Sequence, residues 1–472
     1  MSNHTYRTAP VATTGMPPGI PNIIGNEAAE RFSFYGMKAI LTVFMTKFLV
    51  DAAGQLDLMS ESQAKSYYHL FVASAYFFPV IGAIVADVWF GKYNTIIALS
   101  LVYCLGHLAL ALDETRLGLF AGLALIAIGS GGIKPCVSAH VGDQFGQSNA
   151  HLISKVFGWF YFSINFGSFF SQILTPWLLE GFPEWLVSTL SIESAEAKAR
   201  WLKIGPHVAF GVPGILMLIA TIIFWVGRNK YAHIPAQGTA KVFGALKGGG
   251  WKILLKLVPV YLPISVFWAL YDQTGSSWVL QADKMNRDWL GHNWLASQVQ
   301  AINPLLILIT VPLFSYVVYP ALGKVVRLTS VRKITVGLFL TVVAFSICSF
   351  AQERIDAGEH PSIAWQVAAF FVLTVAEVLV STTGLEFSYT QAPRELKSFV
   401  MSMWLLSVSA GNVIAGFVNK FIQNDDGTLK LNGAEYFWFF TKLMVGAAVA
   451  FLIVSFFYTE KTYIQEEQAA TH

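Results

Sequence analysis

Apolar runs of about 20 residues, separated by short polar stretches, fill the chain from residue 23 to residue 457. A bilayer core about 30 Å thick takes about 20 residues of helix to cross. The runs therefore predict spans over Ile23 to Val50, Ala64 to Trp89, Tyr93 to Leu112, Leu117 to Ala139, Leu152 to Leu179, Ile204 to Val226, Trp251 to Leu280, Leu295 to Tyr319, Val331 to Phe350, Ile363 to Gln391, Phe399 to Phe421 and Tyr436 to Phe457. The pattern is that of an all-α membrane protein with twelve transmembrane helices.

The connectors divide by charge. "GRNKYAHIPAQGTAKVFGALKGGGWK", after the sixth span, carries Arg228, Lys230, Lys241, Lys247 and Lys252 and no acid, whereas "EGFPEWLVSTLSIESAEAKARWLK" before that span has acids in number. Basic loops stay on the cytoplasmic side. Lys324, Arg327, Arg332 and Lys333 after the eighth span, and Arg394 and Lys397 after the tenth, fit the same side. Both termini are then expected inside. The connector splits the spans six and six, as when two related bundles enclose a central path. The expected organisation is a flexible lead-in over 1–22, a first bundle over 23–227, a basic linker over 228–250, a second bundle over 251–459 and a tail over 460–472.

Composition strengthens this picture. The chain is 55% hydrophobic and 12% charged, against about a quarter charged in soluble domains. A net charge of +3, dispersed among short loops, offers no nucleic-acid footprint. Cys104, Cys136 and Cys348 lie in or beside apolar runs, as packed thiols do. The N-terminal stretch lacks the apolar core of a cleavable signal. Ten histidines are scattered without a metal-ligand pair at helical spacing, and no serine–histidine arrangement stands out, so an enzyme is not expected.

Against this background the polar residues inside the spans carry the information. In "GNEAAERFSFYGMK", Glu27, Glu30, Arg31, Tyr35 and Lys38 share one helical stripe. Glu27 and Arg31 stand at i and i+4 and can pair, which leaves Glu30 over. A left-over carboxylate in a poorly hydrated place suits a proton carrier; the alternative is an interfacial cluster snorkelling at the membrane edge. Lys134 follows three glycines in "GSGGIKPC", Asn165 lies in "FYFSINFGS", Asp272 follows Trp268 in "FWALYDQTG", and Asn303 and Glu386 lie in "AINP" and "LEFSYTQAP". Single asparagines are commonly interhelical glue. Acids and bases in several spans must each be hydrated or paired. His69 and Tyr76 stand seven apart on one face, and a buried histidine is either a packing residue or a proton exchanger. Glu377, nine residues before Glu386, is about half a turn off its face and has no role in this reading.

After the second span, "GAIVADVWFGKYNTI" resembles the loop signature of the major facilitator superfamily, with Gly82 allowing close approach, Asp87 at the inner surface, and Gly91 and Lys92 forming a tight basic turn. "YPALGKVVRLTSVRKI" echoes it after the eighth span without the acid. "EAAERFSFYG", "GSGGIKPCVSAHVGDQF", "FYFSINFGS", "FWALYDQTGSSW", "AINP" and "EFSYTQAP" then occur in order. In this set the chain resembles the proton-dependent oligopeptide transporter family. The resemblance implies the major facilitator fold, with twelve helices in two six-helix bundles, and proton-coupled uptake of di- and tripeptides by alternating access. It further implies no cofactor beyond the coupling protons, peptides, protons and lipid as the partners, and a monomer in the inner membrane.

By the same resemblance, Glu27, Glu30, Arg31, His69 and Asp272 take part in proton coupling. Arg31, Tyr35, Tyr76, Lys134, Asn165, Trp268, Asn303, Glu386 and Trp404 bind peptide, with Glu386 on the ammonium and Arg31 and Lys134 on the carboxylate. Lys38 and Asp272 bridge an outer gate. Phe34 stands where the family commonly has a second tyrosine. The linker is too short for two extra helices, and "AQERIDAGEHP" is too short for the extracellular domain of animal relatives. The rival readings are a proton symporter for nitrate or another small solute, and a nutrient receptor that binds without translocating.

Overall fold

The computed structural model describes residues 6–245, 250–326, 328–391, 397–422 and 430–458. Lys247, Arg327, Arg394 and the tail over 460–472 lie outside the described residues. Twelve long helices stand among the described ones: α1 (Ile20–Lys47), α2 (Glu61–Phe90), α3 (Lys92–Leu112), α4 (Arg116–Gly142), α5 (Ile153–Pro176), α6 (Gly205–Val226), α7 (Trp251–Asp283), α8 (Ala296–Gly323), α9 (Ser330–Asp356), α10 (Ala364–Ser388), α11 (Lys397–Phe421) and α12 (Ala434–Phe457). All but α1 and α5 carry a window apolar enough to cross a membrane. The charges of α1 and the Gly, Ser and Asn content of α5 lower theirs, because these two helices also bring polar side chains to the seam between the halves.

Local chemistry sets the helix starts. Ser60 caps α2, its Oγ accepting from Gln63 N at 3.3 Å while the Gln63 side chain accepts from Ser60 N. Thr115 and Thr329 cap α4 and α9 in the same way. Proline at the first turn opens α1 and α6.

The first bundle packs α1 on α5 and α6, α2 on α4, and α3 on α4 and α6; the second packs α7 on α11 and α12, α9 on α10 and α12, and α8 on α10. The bundles meet where α2 lies on α11, α5 on α8 and α1 on α7. Leu101, Leu105 and Leu108 of α3, Ile215, Ile219 and Ile222 of α6, and Val449, Ile453 and Phe456 of α12 remain exposed, as side chains facing lipid tails do. Small residues let the helices touch: a Cβ at Gly82 would run into the Gly132 Cα of α4, and one at Gly411 into the Ser265 carbonyl of α7.

The lead-in differs from the expected flexible segment. The Tyr6 ring stacks on His233 at 4.3 Å, and the Arg7 carbonyl accepts from His233 N at 2.7 Å. Ser148 Oγ donates to the Thr13 carbonyl at 2.9 Å. Residues 6–19 thus form a strap across the first bundle and the start of the linker, because aromatic stacking and backbone hydrogen bonds hold them where hydropathy gave no signal.

Replacing Gly82 by Val is expected to force α2 from α4 and cost about 1–3 kcal/mol, read as a lowered melting temperature in detergent. Gly446→Ala, whose added methyl meets open space within α12, is expected to leave that temperature unchanged or raise it.

Candidate substrate site

A cavity of about 230 Å³ lies in the seam where α1, α2 and α5 meet α7, α8, α10 and α11. Tyr35, Tyr76, Asn165, Trp268, Asn303 and Trp404 line it, together with Lys38 and Asp272. Trp268 and Trp404 meet edge to face at 6.0 Å and form one wall. Asn165 donates to the Tyr161 carbonyl at 3.0 Å, which fixes its amide on α5.

Beside Asp272, which pairs with Lys38, the acid in this cavity is Glu377. Its Oε2 accepts from Asn303 Nδ2 at 2.7 Å, and Asn303 also donates to Thr374 Oγ1 at 3.1 Å and accepts from the Tyr271 hydroxyl at 3.1 Å. Glu386 is placed elsewhere: its side chain is 66% exposed and lies 3.9 Å from Lys333 Nζ of α9. This corrects the assignment of Glu386 to the peptide site. Nine residues of helix rise about 13 Å, and the wide turn over Val378–Thr382 rotates the rest of α10 about its axis. The two carboxylates therefore differ in both height and direction, and the one left without a role faces the cavity.

The α1 cluster is close-knit and buried. Arg31 Nε lies 2.6 Å from Glu27 Oε1 and 3.2 Å from Glu30 Oε2. Glu30 is thus not left over, as the i, i+4 argument expected: one guanidinium stands between both acids. Only the Glu27 contact has hydrogen-bond geometry, and neither Glu30 oxygen makes a hydrogen bond. Lys134 Nζ, likewise without a hydrogen bond, sits over the Phe34 ring at 3.6 Å and the Tyr76 ring at 4.6 Å. Arg31 and Lys134 do not line the cavity; Tyr76, which does, stands between it and Lys134. Phe34 occupies the place of the missing tyrosine and gives Lys134 a ring face in place of a hydroxyl.

A chain of contacts crosses the seam at the end away from the linker. Lys38 Nζ meets Asp272 Oδ1 at 2.7 Å, and Asn412 Nδ2 donates to Asp272 Oδ2 at 2.7 Å. Asn412 Oδ1 lies 2.8 Å from His69 Nδ1, and Ser276 Oγ lies 3.0 Å from His69 Nε2. Asn412 presents its carbonyl oxygen to the ring, so Nδ1 carries the proton and Ser276 donates to Nε2 of a neutral imidazole. Protonating His69 turns that last contact round. Asn412 was missed by the sequence reading; its signal is a buried amide beside Gly411, the residue that lets α11 touch α7. Tyr271 was also missed, hidden as an apolar neighbour of Asp272.

Two further pairs join the halves at the same end, Lys47 with Asp283 and Lys284 with Glu61, each at 2.8 Å. Among the described residues every ion pair between the bundles lies there. At the linker end, Gly91 has a φ of +73°, Lys92 Nζ meets Asp143 Oδ2 at 2.7 Å, and the Asp87 carbonyl accepts from Gln237 N at 2.7 Å. The turn after α2 is thereby tied to α4 and to the linker, with Gly82 one turn above Asp87.

Comparison with known proteins places this geometry. The sequence profile of the POT family, PTR2, matches residues 93–246 and 245–439. Solute carrier family 15 member 2 of Rattus norvegicus is 37% identical over 415 residues, 78% of this chain and 53% of that protein. Its Homo sapiens counterpart is 36% identical over 424 residues, 80% of this chain and 55% of that protein. The chain spans about half the length of the curated relatives it matches. The solved structure of the POT family transporter PepTSo superposes with a TM-score of 0.81 at 35% identity, covering 93% of this chain and 98% of that chain. An auto inhibited POT family peptide transporter gives 0.81 at 34%, covering 96% and 99%. The two six-helix bundles are the major facilitator fold of these transporters.

Removing one partner of a buried pair strands the other charge at a cost of about 3–5 kcal/mol. Lys38→Ala and Asp272→Ala are each expected to lower the melting temperature, and the double variant to lose less than the sum. Additive losses would show that the pair is not formed.

Proposed function

The chain belongs to the POT family, and we propose that it takes up di- and tripeptides with protons by alternating access. The observation that carries this reading is the cavity between the halves, with a carboxylate from one half and cations of the other half behind its aromatic wall. A peptide at neutral pH is a zwitterion. Glu377 of the second half suits the ammonium, and Arg31 and Lys134 of the first half suit the carboxylate, so that binding bridges the bundles. Each residue adds about 3.5 Å to an extended peptide, and a cavity of about 230 Å³ leaves room for a short one. Asn165 and Asn303 offer hydrogen bonds to backbone groups common to all peptides, while Trp268, Trp404, Tyr35 and Tyr76 accept varied side chains.

Coupling follows from the shared guanidinium. A proton on Glu27 or Glu30 weakens its hold on Arg31 and frees a cation for the peptide carboxylate. His69 and Asp272 serve as further carriers toward the outer face, where Lys38 and Asp272 act as the gate. Separating the halves there breaks the three ion pairs, and each charge then meets water. In this orientation the basic linker and both termini are cytoplasmic, and the short loop after α9 fits the inner membrane of a bacterium. The protein acts as a monomer, its only cofactor the coupling proton, and no chemical step is catalysed. A proton moving inward gains about 2.3 kcal/mol per 100 mV, and a unit of pH adds about 1.4. Together these support accumulation well over tenfold. A nitrate symporter on the same scaffold has no use for Glu377 in the cavity, which favours a substrate with an ammonium.

Uptake of labelled dialanine into liposomes is expected to require an imposed proton gradient and to be lost in Glu30→Gln, with competition by dipeptides but not by free alanine. Accumulation without a gradient would count against coupling, and binding without uptake would indicate a receptor. Glu377→Gln is expected to cut driven uptake by tenfold or more and Glu386→Gln by less than threefold; the reverse order would return the ammonium to Glu386.

A further inference from the structure

A second cavity, of about 150 Å³, opens in the same seam at the end away from the linker, between α2 on one side and α7, α9 and α12 on the other. Lys65 of α2 lines it and is 7% exposed. Its ammonium lies 4.0 Å above the Tyr436 ring of α12, and it makes neither an ion pair nor a hydrogen bond among the described residues. The neighbouring carboxylate, Glu61, is taken by Lys284 at 2.8 Å. Across the cavity, Asp356 spends Oδ1 on Gln352 Nε2 at 2.9 Å and Oδ2 on the Ala434 amide at 2.6 Å. Ser277 Oγ donates to the Tyr436 hydroxyl at 2.9 Å. The cavity therefore holds two ammonium groups and two carboxylates, and of the two cations Lys65, on the α2 wall, is the one buried without an ion-pair partner among the described residues.

A buried charge without a counter-ion is costly, and an aromatic face meets only part of that cost. We propose that this cavity binds a small monovalent anion on Lys65. A cation is repelled by Lys65 and Lys284. A multivalent anion is disfavoured by Glu61 on the α2 wall and Asp356 on the facing one, and the volume suits a halide or a short carboxylate. An anion held there touches α2 of the first bundle and the α7, α9 and α12 walls of the second, so it fastens the bundles at this end without contacting the central cavity.

The melting temperature of the full chain in detergent is measured as sodium bromide replaces sodium gluconate at constant ionic strength, with sodium acetate in a parallel series. The expected result is a saturable rise that Lys65→Gln abolishes and that Lys47→Gln, a more exposed cation at the same end of the seam but outside this cavity, retains. Saturation by bromide alone identifies a free halide, saturation by acetate alone a carboxylate, and either supports the site. A rise that fails to saturate with both anions, or that survives in Lys65→Gln, overturns it. Should Lys65→Gln fail to fold, Lys65→Arg decides: a half-saturation concentration shifted threefold or more supports the site, and an unchanged one overturns it.

Discussion

The pair between Lys38 and Asp272 holds the two halves in their present relation. Charges taken out of water must find each other, and these two come from α1 and α7, which belong to different bundles. Within each bundle the helices lock by apolar interdigitation and by glycine contacts that hardly yield. Between them, the contacts at the end away from the linker are largely ionic or amide hydrogen bonds: Asn412 to His69, Ser409 to the Ala73 carbonyl and Gln300 to the Ala39 carbonyl. Such contacts are replaced by water at small net cost when they part. An apolar interlock would have to expose its surface. The difference between rigid halves and an exchangeable seam follows from which residues stand at each.

The order of the spans was legible because lipid imposes a coarse rule: a run of apolar residues long enough to cross must be a helix. Their bounds agree with the observed helices to within a few residues at most ends, for example at α3 and α6. Much of the central site was also legible. Charged and amide side chains inside apolar runs need a partner or water, and Tyr35, Lys38, Tyr76, Asn165, Asp272 and Asn303 all reach the same cavity. Arg31 and Lys134 lie behind it, a depth that no sequence pattern expresses.

The illegible part depends on local departures from ideal helices. Ideal steps of 100° separate Glu377 from Glu386 by half a turn and leave open which one faces inward. The wide turn between them decides it, and "VLVST" does not announce such a turn. Similar turns occur over Ala86–Phe90, Trp177–Gly181 and Phe314–Val318, near the ends of α2, α5 and α8. Asn412 and Tyr271 were hidden for another reason: each lies in a run of ordinary hydropathy, and only the fold brings them to Asp272 and Asn303. The strap over residues 6–19 escaped because its contacts are with distant parts of the chain.

That strap and the Gln237–Asp87 contact have a mechanical consequence. The linker is secured to the first bundle at Asn229, His233 and Gln237 before it departs for the second. A short helix over Thr239–Ala245 follows and lies on the Ala86–Phe90 turn, so about five residues remain to reach α7, a leash of at most about 18 Å. The tether, rather than the full interval between α6 and α7, sets how far the second bundle can swing, and lengthening it past Ala245 would widen that arc while leaving the anchored portion in place.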